Sequence, residues 1–103
     1  MAYKIIVTER AAQQIDDVFS YIAVVLANPN AARSVRDELL TSYRKLEMNP
    51  FSAPPCNDLQ LKALGFRRMK LKKHQYILIF KVCESDVIIY GFFHTLEDYS
   101  AKL

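Results

Sequence analysis

Apolar residues near the start of the chain recur first at alternate positions and then at steps of three and four. Tyr3, Ile5 and Val7 alternate in a segment rich in β-forming residues, which predicts a strand over 3–7. Thr8 is a good helix cap and is followed by an acidic residue. One apolar stripe then predicts a helix over about 9–27; its residues are Ile15, Val18, Phe19, Ile22, Val25 and Leu26.

A second helix is predicted to begin at Asn28-Pro29 and to end before Pro50. Asparagine is a favourable cap, and proline suits the first helical position. The break between the two helices is so short that they must fold back as a hairpin. The apolar stripe of the second helix consists of Ala32, Val35, Leu39, Tyr43 and Leu46.

The second half of the chain is predicted to be mostly strand. Prolines and a glycine mark 49–65 as a loop, with a short turn of helix at 59–64. Three strands follow, over 66–73, 75–83 and 86–93, and their short links make them antiparallel neighbours. We therefore predict one α+β domain over 1–103, with the order β-α-α-β-β-β and a helical hairpin packed on a mainly antiparallel four-stranded sheet. The tail, 96–103, is predicted to form one helical turn.

Composition excludes several classes of protein. The chain has 103 residues, 51% of them hydrophobic, with only 2 Gly and 4 Pro, which excludes a disordered or collagen-like protein. We expect no cofactor, because there is no Gly-rich phosphate loop and no nucleophile motif. A signal peptide and a membrane-spanning segment are also absent from the pattern, so we expect a cytoplasmic protein without a membrane partner.

Cys56 and Cys83 belong to no metal-ligand set and are expected to be free, buried thiols, with a disulfide as the open alternative.

The positive charge lies in one short block of the chain. The net charge is +3, but residues 1–51 are neutral, and no acidic residue occurs between Asp58 and Glu84. Alternation along a strand places Arg68, Lys70 and Lys72 on one face, with basic residues at both flanks. Such a surface can bind a phosphate backbone or an acidic partner, or it can be a solvated edge that deters aggregation. The predicted basic surface consists of Arg67, Arg68, Lys70, Lys72 and Lys73.

Further polar and aromatic residues each have two interpretations. His94 ends a strand and is either a general acid or base or a locally hydrogen-bonded residue, and the second is favoured. His74 is expected to be exposed in a turn. Glu97 and Asp98 are either bases or the acidic start of a short terminal helix. Two tyrosines can stack on a base or pack in the core, and the core is favoured for the first; they are Tyr90 and Tyr99.

The whole chain resembles the RelE/ParE superfamily of bacterial type II toxins. The resemblance is carried by "YKIIVTERAAQQIDDVFSYI", by "NPNAARSVRDELLTSYRKLEMNPFSAP" and by "LGFRRMKLKKHQYILIFKVCESDVIIYGFFHTLED". The last segment is similar to the family's Arg-bearing strand, Tyr-led apolar strand, acidic turn and final strand ending in His. The resemblance implies a toxin that a cognate antitoxin neutralises, with an acidic antitoxin segment complementary to the basic surface.

Members of the superfamily have one of two activities. Some residues of this chain match the first activity, and others do not. RelE-like members cleave mRNA in the ribosome, which requires proton transfer and cations for the charged transition state. Arg68 and Lys70 match the nuclease-type basic positions, but Ile77 stands after the strand's tyrosine where nucleases carry Arg, and Glu97 lies where many carry Arg. ParE-like members inhibit DNA gyrase.

The ParE-like interpretation is therefore preferred, and it also fits the length of the helical hairpin. An mRNA endoribonuclease acting at the ribosome is the alternative, with Arg68, Lys70 and His94 as its catalytic candidates. A non-toxic module that only binds an antitoxin is the third possibility. Whether the protein is an enzyme stays open at this point.

Overall fold

The computed structural model describes residues 2–103 and has the predicted element order. The helices and strands are β1 (Lys4–Val7), α1 (Glu9–Ser20), α2 (Pro29–Met48), α3 (Leu59–Ala63), β2 (Arg67–Lys70), β3 (Tyr76–Cys83) and β4 (Asp86–His94). A π-helical segment, Tyr21–Val25, extends α1, and 3-10 turns lie at Pro50–Ser52 and Tyr99–Ala101. The α+β fold class and the stated order are confirmed.

Both predicted helix caps are present. The Thr8 hydroxyl accepts a hydrogen bond from the backbone N–H of Ala11 at 3.2 Å and donates to the carbonyl of Ile89 at 3.0 Å, so it also ties α1 to the sheet. The Asn28 side chain accepts a hydrogen bond from Ala31 N–H at 3.1 Å, directly before Pro29. The hairpin therefore bends where the capping residues indicate.

The sheet has the order β1-β4-β3-β2. β1 runs parallel to β4, and the other neighbours are antiparallel. The helical hairpin covers one face of the sheet, which we call the helical face. Its core contains buried residues from α1, α2, β3 and β4; Val35, Leu39, Leu46, Leu78, Phe80, Val87, Ile89 and Phe92 are among them.

The opposite face of the sheet, here called the second face, is covered by the segment before β2 and by the C-terminal tail. Phe66, Ile77, Ile79 and Phe93 are buried there together with Cys56 and Leu61. Tyr90, Tyr99 and Leu103 pack against this cluster from outside. Both faces of the central strands are thus covered, which agrees with their nearly continuous apolar sequence.

A β-bulge interrupts the pairing of β3 with β4. Cys83 pairs with Asp86 and Phe80 with Ile89, but Ile79 pairs with Gly91, so one residue of β4 has no partner on β3. A one-residue shift in register moves every following side chain to the other face of the sheet. The bulge therefore decides which face the last residues of β4 occupy.

The two cysteines are both free thiols. Cys56 is buried, as expected, and burial raises the pKa of its thiol. Cys83 is exposed at the end of β3, so the expectation that it is buried is wrong. A strand end beside a solvent-exposed turn offers no cover for its side chain.

Candidate functional site

The basic strand is shorter than predicted. β2 ends at Lys70, and residues 72–75 form a bend instead of continuing the strand to Lys73. The carboxylate of Glu38, on α2, accepts hydrogen bonds from the backbone N–H groups of Lys72 and Lys73, the second at 2.9 Å. These N–H groups are therefore bound to a helix side chain, and the strand terminates. The prediction of an uninterrupted basic strand face is wrong for its last part.

The two arginines of the basic block are held against the neighbouring loop. Arg67 Nη1 donates to the carbonyl of Ala53 at 2.7 Å, and its guanidinium carbon lies 5.0 Å from the ring centroid of Phe51. Arg67 pairs with Phe80, a residue of the helical face. Arg67 is thus a structural contact of the loop, and it does not share a face with its neighbour Arg68.

Arg68 belongs to the second face of the sheet. It pairs with Ile79 of the second-face cluster, and its Nη2 lies 3.5 Å from the side-chain oxygen of Asn57. Its Nε is buried and has no hydrogen-bond partner among residues 2–103. The five predicted basic residues are therefore divided, with Arg67 and Arg68 partly buried and the three lysines exposed.

A groove between α2 and the β2–β3 bend collects the exposed lysines. It has a volume of about 540 Å³ and is lined on the strand side by Lys70, Lys72 and Lys73. Lys45 lines it from α2, a position that sequence reasoning did not connect with the basic block. The remaining lining residues are Ser34, Asp37, Glu38, Thr41, Ser42 and Met69. We call this feature the lysine groove.

Glu38, which lines this groove, contacts His74 of the β2–β3 bend. His74 Nδ1 lies 2.7 Å from Glu38 Oε1, and both side chains are largely buried. The expectation that His74 is exposed is therefore wrong, because α2 packs over the bend. Burial raises the pKa of Glu38, but hydrogen bonds from His74 and from the Lys73 and Lys72 N–H groups outweigh it, so this pKa lies below its ordinary value.

Replacing Glu38 by glutamine should lower the free energy of unfolding at neutral pH by about 1–2 kcal/mol, because three charge-assisted contacts are weakened. A carboxyl whose pKa is depressed by folding stabilises the protein above its unfolded pKa, near ~4.3, and this contribution is lost as pH falls through the folded value. The stability difference between the wild type and Glu38→Gln should therefore shrink below about pH 4. Urea unfolding at pH 7 and at acidic pH measures it.

Asp37→Asn is the matched control for this prediction. Asp37 is the adjacent acid on the same helix, it is exposed, and its only ion pair in the described chain, with Arg36 at 3.6 Å, lies at the surface. Its replacement should change stability by less than about 1 kcal/mol. Equal losses for Glu38→Gln and Asp37→Asn would contradict the structural role of Glu38.

His94 makes local contacts at the end of β4. Its Nδ1 accepts a hydrogen bond from Leu96 N–H at 3.2 Å, and its ring packs edge-on against Tyr76, with centroids 5.5 Å apart. The interpretation as a locally hydrogen-bonded residue agrees with this geometry. Tyr76 packs with the helical-face core, so His94 lies on the helical face.

The three catalytic candidates therefore do not converge. Arg68 and Lys70 pair with Ile79 and Ile77, whose side chains lie on the second face, whereas His94 lies on the other face. The β-bulge causes this separation, because unshifted pairing would place His94 on the same face as Arg68.

The acidic pair after His94 is used within the tail. Glu97 accepts hydrogen bonds from Lys102 Nζ at 2.6 Å and from His94 N–H at 3.0 Å, and the Lys102 ammonium lowers the pKa of this carboxyl. Asp98 directly precedes the 3-10 turn at Tyr99–Ala101 and accepts from Ser100. The acidic start of a short terminal helix is thus the interpretation that agrees with the geometry.

The two tyrosines near the second face are partly buried and pack against its cluster. Tyr90 contacts Phe66 edge-on with centroids 5.2 Å apart, and Tyr99 stacks on Phe93 at 6.0 Å. Ile77, at the position after Tyr76, is 6% exposed in the second-face cluster. In residues 2–103 there is no cluster of three or more His, Cys, Asp or Glu side chains suited to a metal ion. None of the helices in this part of the chain has the length and apolarity needed to cross a membrane.

Comparison with known proteins adds a family assignment. Residues 5–99 match the family model described as the ParE toxin of the type II toxin–antitoxin system parDE. A solved structure of the chromosomal ParDE system from P. aeruginosa is similar with a TM-score of 0.74 and 17% identity, covering 90% of this chain and 96% of that one.

The toxin–antitoxin complex RelBE2 from Mycobacterium tuberculosis is similar with a TM-score of 0.60 and 14% identity, covering 91% of this chain and 92% of that one. At these identities the two solved structures show a shared fold. No curated protein matches the chain significantly.

Proposed function

Because the chain belongs to the ParE toxins of type II toxin–antitoxin systems, we propose that it arrests growth by inhibiting DNA gyrase and that a cognate antitoxin neutralises it. The observation that carries the choice of target is the separation of Arg68 and Lys70 from His94 on opposite faces of the sheet. A gyrase inhibitor acts by binding and needs no converging acid and base.

Cleavage of RNA requires several groups to converge, and the three catalytic candidates lie on opposite faces of the sheet. The reaction needs a base for the 2′-hydroxyl, an acid for the leaving oxygen and cations for the transition state. Ile77 is buried and apolar, Glu97 is paired with Lys102, and Arg68 is partly buried beneath the loop before β2. These contacts support a binding protein over a nuclease.

A protein partner is supported by exposed apolar residues at the end of the helical hairpin. Tyr21, Val24, Val25 and Leu26 are all more than half exposed, which is unusual for adjacent apolar residues on a monomer. Of the five residues of the predicted basic surface, Lys70, Lys72 and Lys73 are exposed and available to an anionic partner, whereas Arg67 and Arg68 contact the loop.

Induced expression tests the proposal in living cells. We expect growth arrest with relaxed plasmid DNA and an induced SOS response, and we expect purified protein to inhibit supercoiling by gyrase. The variant His94→Gln should arrest growth equally well, because a gyrase inhibitor has no use for proton transfer at this position. Co-expression of a cognate antitoxin should restore growth.

Three other outcomes separate the alternatives. New codon-positioned mRNA ends, with unchanged supercoiling and loss of arrest in His94→Gln, would favour the ribosome-dependent endoribonuclease. Normal growth without an antitoxin would favour the non-toxic module. Arrest without any change in supercoiling, SOS response or RNA ends would sink both gyrase inhibition and mRNA cleavage.

A further inference from the structure

Four lysines line the lysine groove, Lys70 at its β2 edge, and none of them has a carboxylate partner among residues 2–103. Lys45, Lys70, Lys72 and Lys73 line it and are exposed. The ion pairs of residues 2–103 are Arg36–Asp37, His74–Glu38 and Lys102–Glu97, so none involves a lysine of the groove. A solvated surface usually carries a balanced mixture of positive and negative charges, whereas positive charges predominate in this groove.

Two acids also line the groove, and neither is paired with one of its lysines. Glu38 is bound to His74 and to the backbone N–H groups of the bend. Asp37 lies 3.6 Å from Arg36. The lysines therefore present an excess of positive charge to solvent, and an external anion is the partner that can balance it.

The backbone that carries these cations is held in place before any ligand binds. The Glu38 contacts fix the bend that carries Lys72 and Lys73, and Lys45 projects from the same helix two turns later. Lys45 and Lys72 line the same groove, and repulsion between the two like charges holds the pKa of Lys45 below its ordinary value. An anion between them would relieve this repulsion.

Much of the backbone near the groove is already hydrogen-bonded. On the outer edge of β2, Arg68 N–H donates to Pro54 O at 3.0 Å, and Cys56 N–H donates to Phe66 O at 3.0 Å. The N–H groups of the bend are bound to Glu38. Side-chain charge, rather than strand addition, is therefore what the groove offers to a ligand.

The lining also distinguishes double-stranded from single-stranded nucleic acid. The ten residues that line the groove include no aromatic side chain. Proteins that bind single strands stack the unpaired bases on aromatic rings, whereas a duplex keeps its bases stacked and presents a dense row of phosphates. Lysine ammonium groups bind phosphates as point charges without reading the bases.

We propose that the lysine groove binds the phosphate backbone of duplex DNA, independently of base sequence. The proposal goes beyond gyrase inhibition, because it assigns a direct DNA contact to the toxin itself, and it does not depend on which target the toxin has.

Fluorescence anisotropy with a short labelled duplex of arbitrary sequence tests the proposal on the full chain. Log K should fall linearly with log salt concentration. The double variant Lys45→Ala/Lys72→Ala should reduce the magnitude of this slope by about 2 and weaken binding at low salt about tenfold or more. Lys62→Ala is the matched control, since Lys62 is exposed on α3 and does not line the groove. It should leave the slope close to the wild-type value.

Three results would overturn the assignment. One is duplex binding that is absent or that responds equally to Lys62→Ala and to the double variant. Another is tighter binding of a single-stranded RNA of equal length. The third is groove-dependent binding of polyglutamate without duplex binding, which would assign the groove to an acidic protein segment. Because all three substituted lysines are exposed, each variant should keep the wild-type fold. Thermal unfolding of each variant checks this.

Discussion

Replacing Phe80 by alanine is expected to lower the free energy of unfolding by about 3–5 kcal/mol. Phe80 is fully buried at the middle of β3, and its side chain lies in the helical-face core beneath the hairpin. The change removes a large apolar side chain and leaves a cavity that the surrounding sheet and helices cannot fully close. Small domains are stable by only ~5–15 kcal/mol, so the loss is a large part of the total.

Thermal and urea unfolding followed by circular dichroism measure this loss. For a domain of this size the midpoint should fall by roughly 15–30 °C. Leu96→Ala is the control, because Leu96 is also a large apolar residue but is 89% exposed. It should change stability by no more than about 0.5 kcal/mol. Similar midpoints for Phe80→Ala and Leu96→Ala would contradict the position of the core.

The strand that contains Phe80 illustrates what the sequence predicts well. A continuous apolar run bounded by turn residues indicates a buried strand, and the caps at Thr8 and Asn28 mark helix starts through purely local chemistry. These features depend on neighbouring residues alone. The element order and the helical hairpin therefore follow from the sequence.

The end of β2 was not predictable in the same way. The alternation of basic and apolar residues continues to Lys72, yet the strand stops at Lys70 because Glu38 binds the backbone of the bend. Glu38 lies on a helix far away in the sequence, so no local pattern indicates the contact. The burial of His74 and the membership of Lys45 in the lysine groove have the same origin.

The face occupied by His94 depends on the β-bulge, whose sequence signal is a single glycine inside the strand. Without the bulge, hairpin pairing from Cys83 and Asp86 would place His94 on the face of Arg68 and Lys70. A glycine inside a strand often marks a bulge, and Gly91 lies at this position. Gly91 was the available clue, and it bears directly on whether the catalytic candidates meet.

Replacing Gly91 by alanine is expected to lower the free energy of unfolding by about 2–3 kcal/mol. A Cβ at this position would lie 2.2 Å from Cε2 and 2.8 Å from Cζ of the Phe93 ring. Phe93 is 2% exposed and stacks on Tyr99, so the ring cannot move aside without disturbing the second-face cluster and the tail. The gain that alanine brings by restricting the unfolded chain, about 0.4–1 kcal/mol, is too small to offset this overlap.

A double-mutant cycle with Phe93→Leu isolates the cause. If the ring is the obstacle, Gly91→Ala should cost at least about 1 kcal/mol less in the Phe93→Leu background than in the wild type. Gly65→Ala is the contrasting control: Gly65 has φ of +90° with no heavy atom within 4 Å of an added Cβ, so its cost comes from backbone strain alone. That cost, about 1–2 kcal/mol, should be unchanged by Phe93→Leu. Urea unfolding of the wild type, the three single variants and the two double variants measures both couplings. Hydrogen exchange of residues 97–103 should increase in Gly91→Ala and in every variant that contains Phe93→Leu, but not in Gly65→Ala alone. Equal costs of Gly91→Ala in both backgrounds would show that Phe93 does not lie over Gly91. They would also contradict the packing of Phe93 that we describe as holding the tail on the second face.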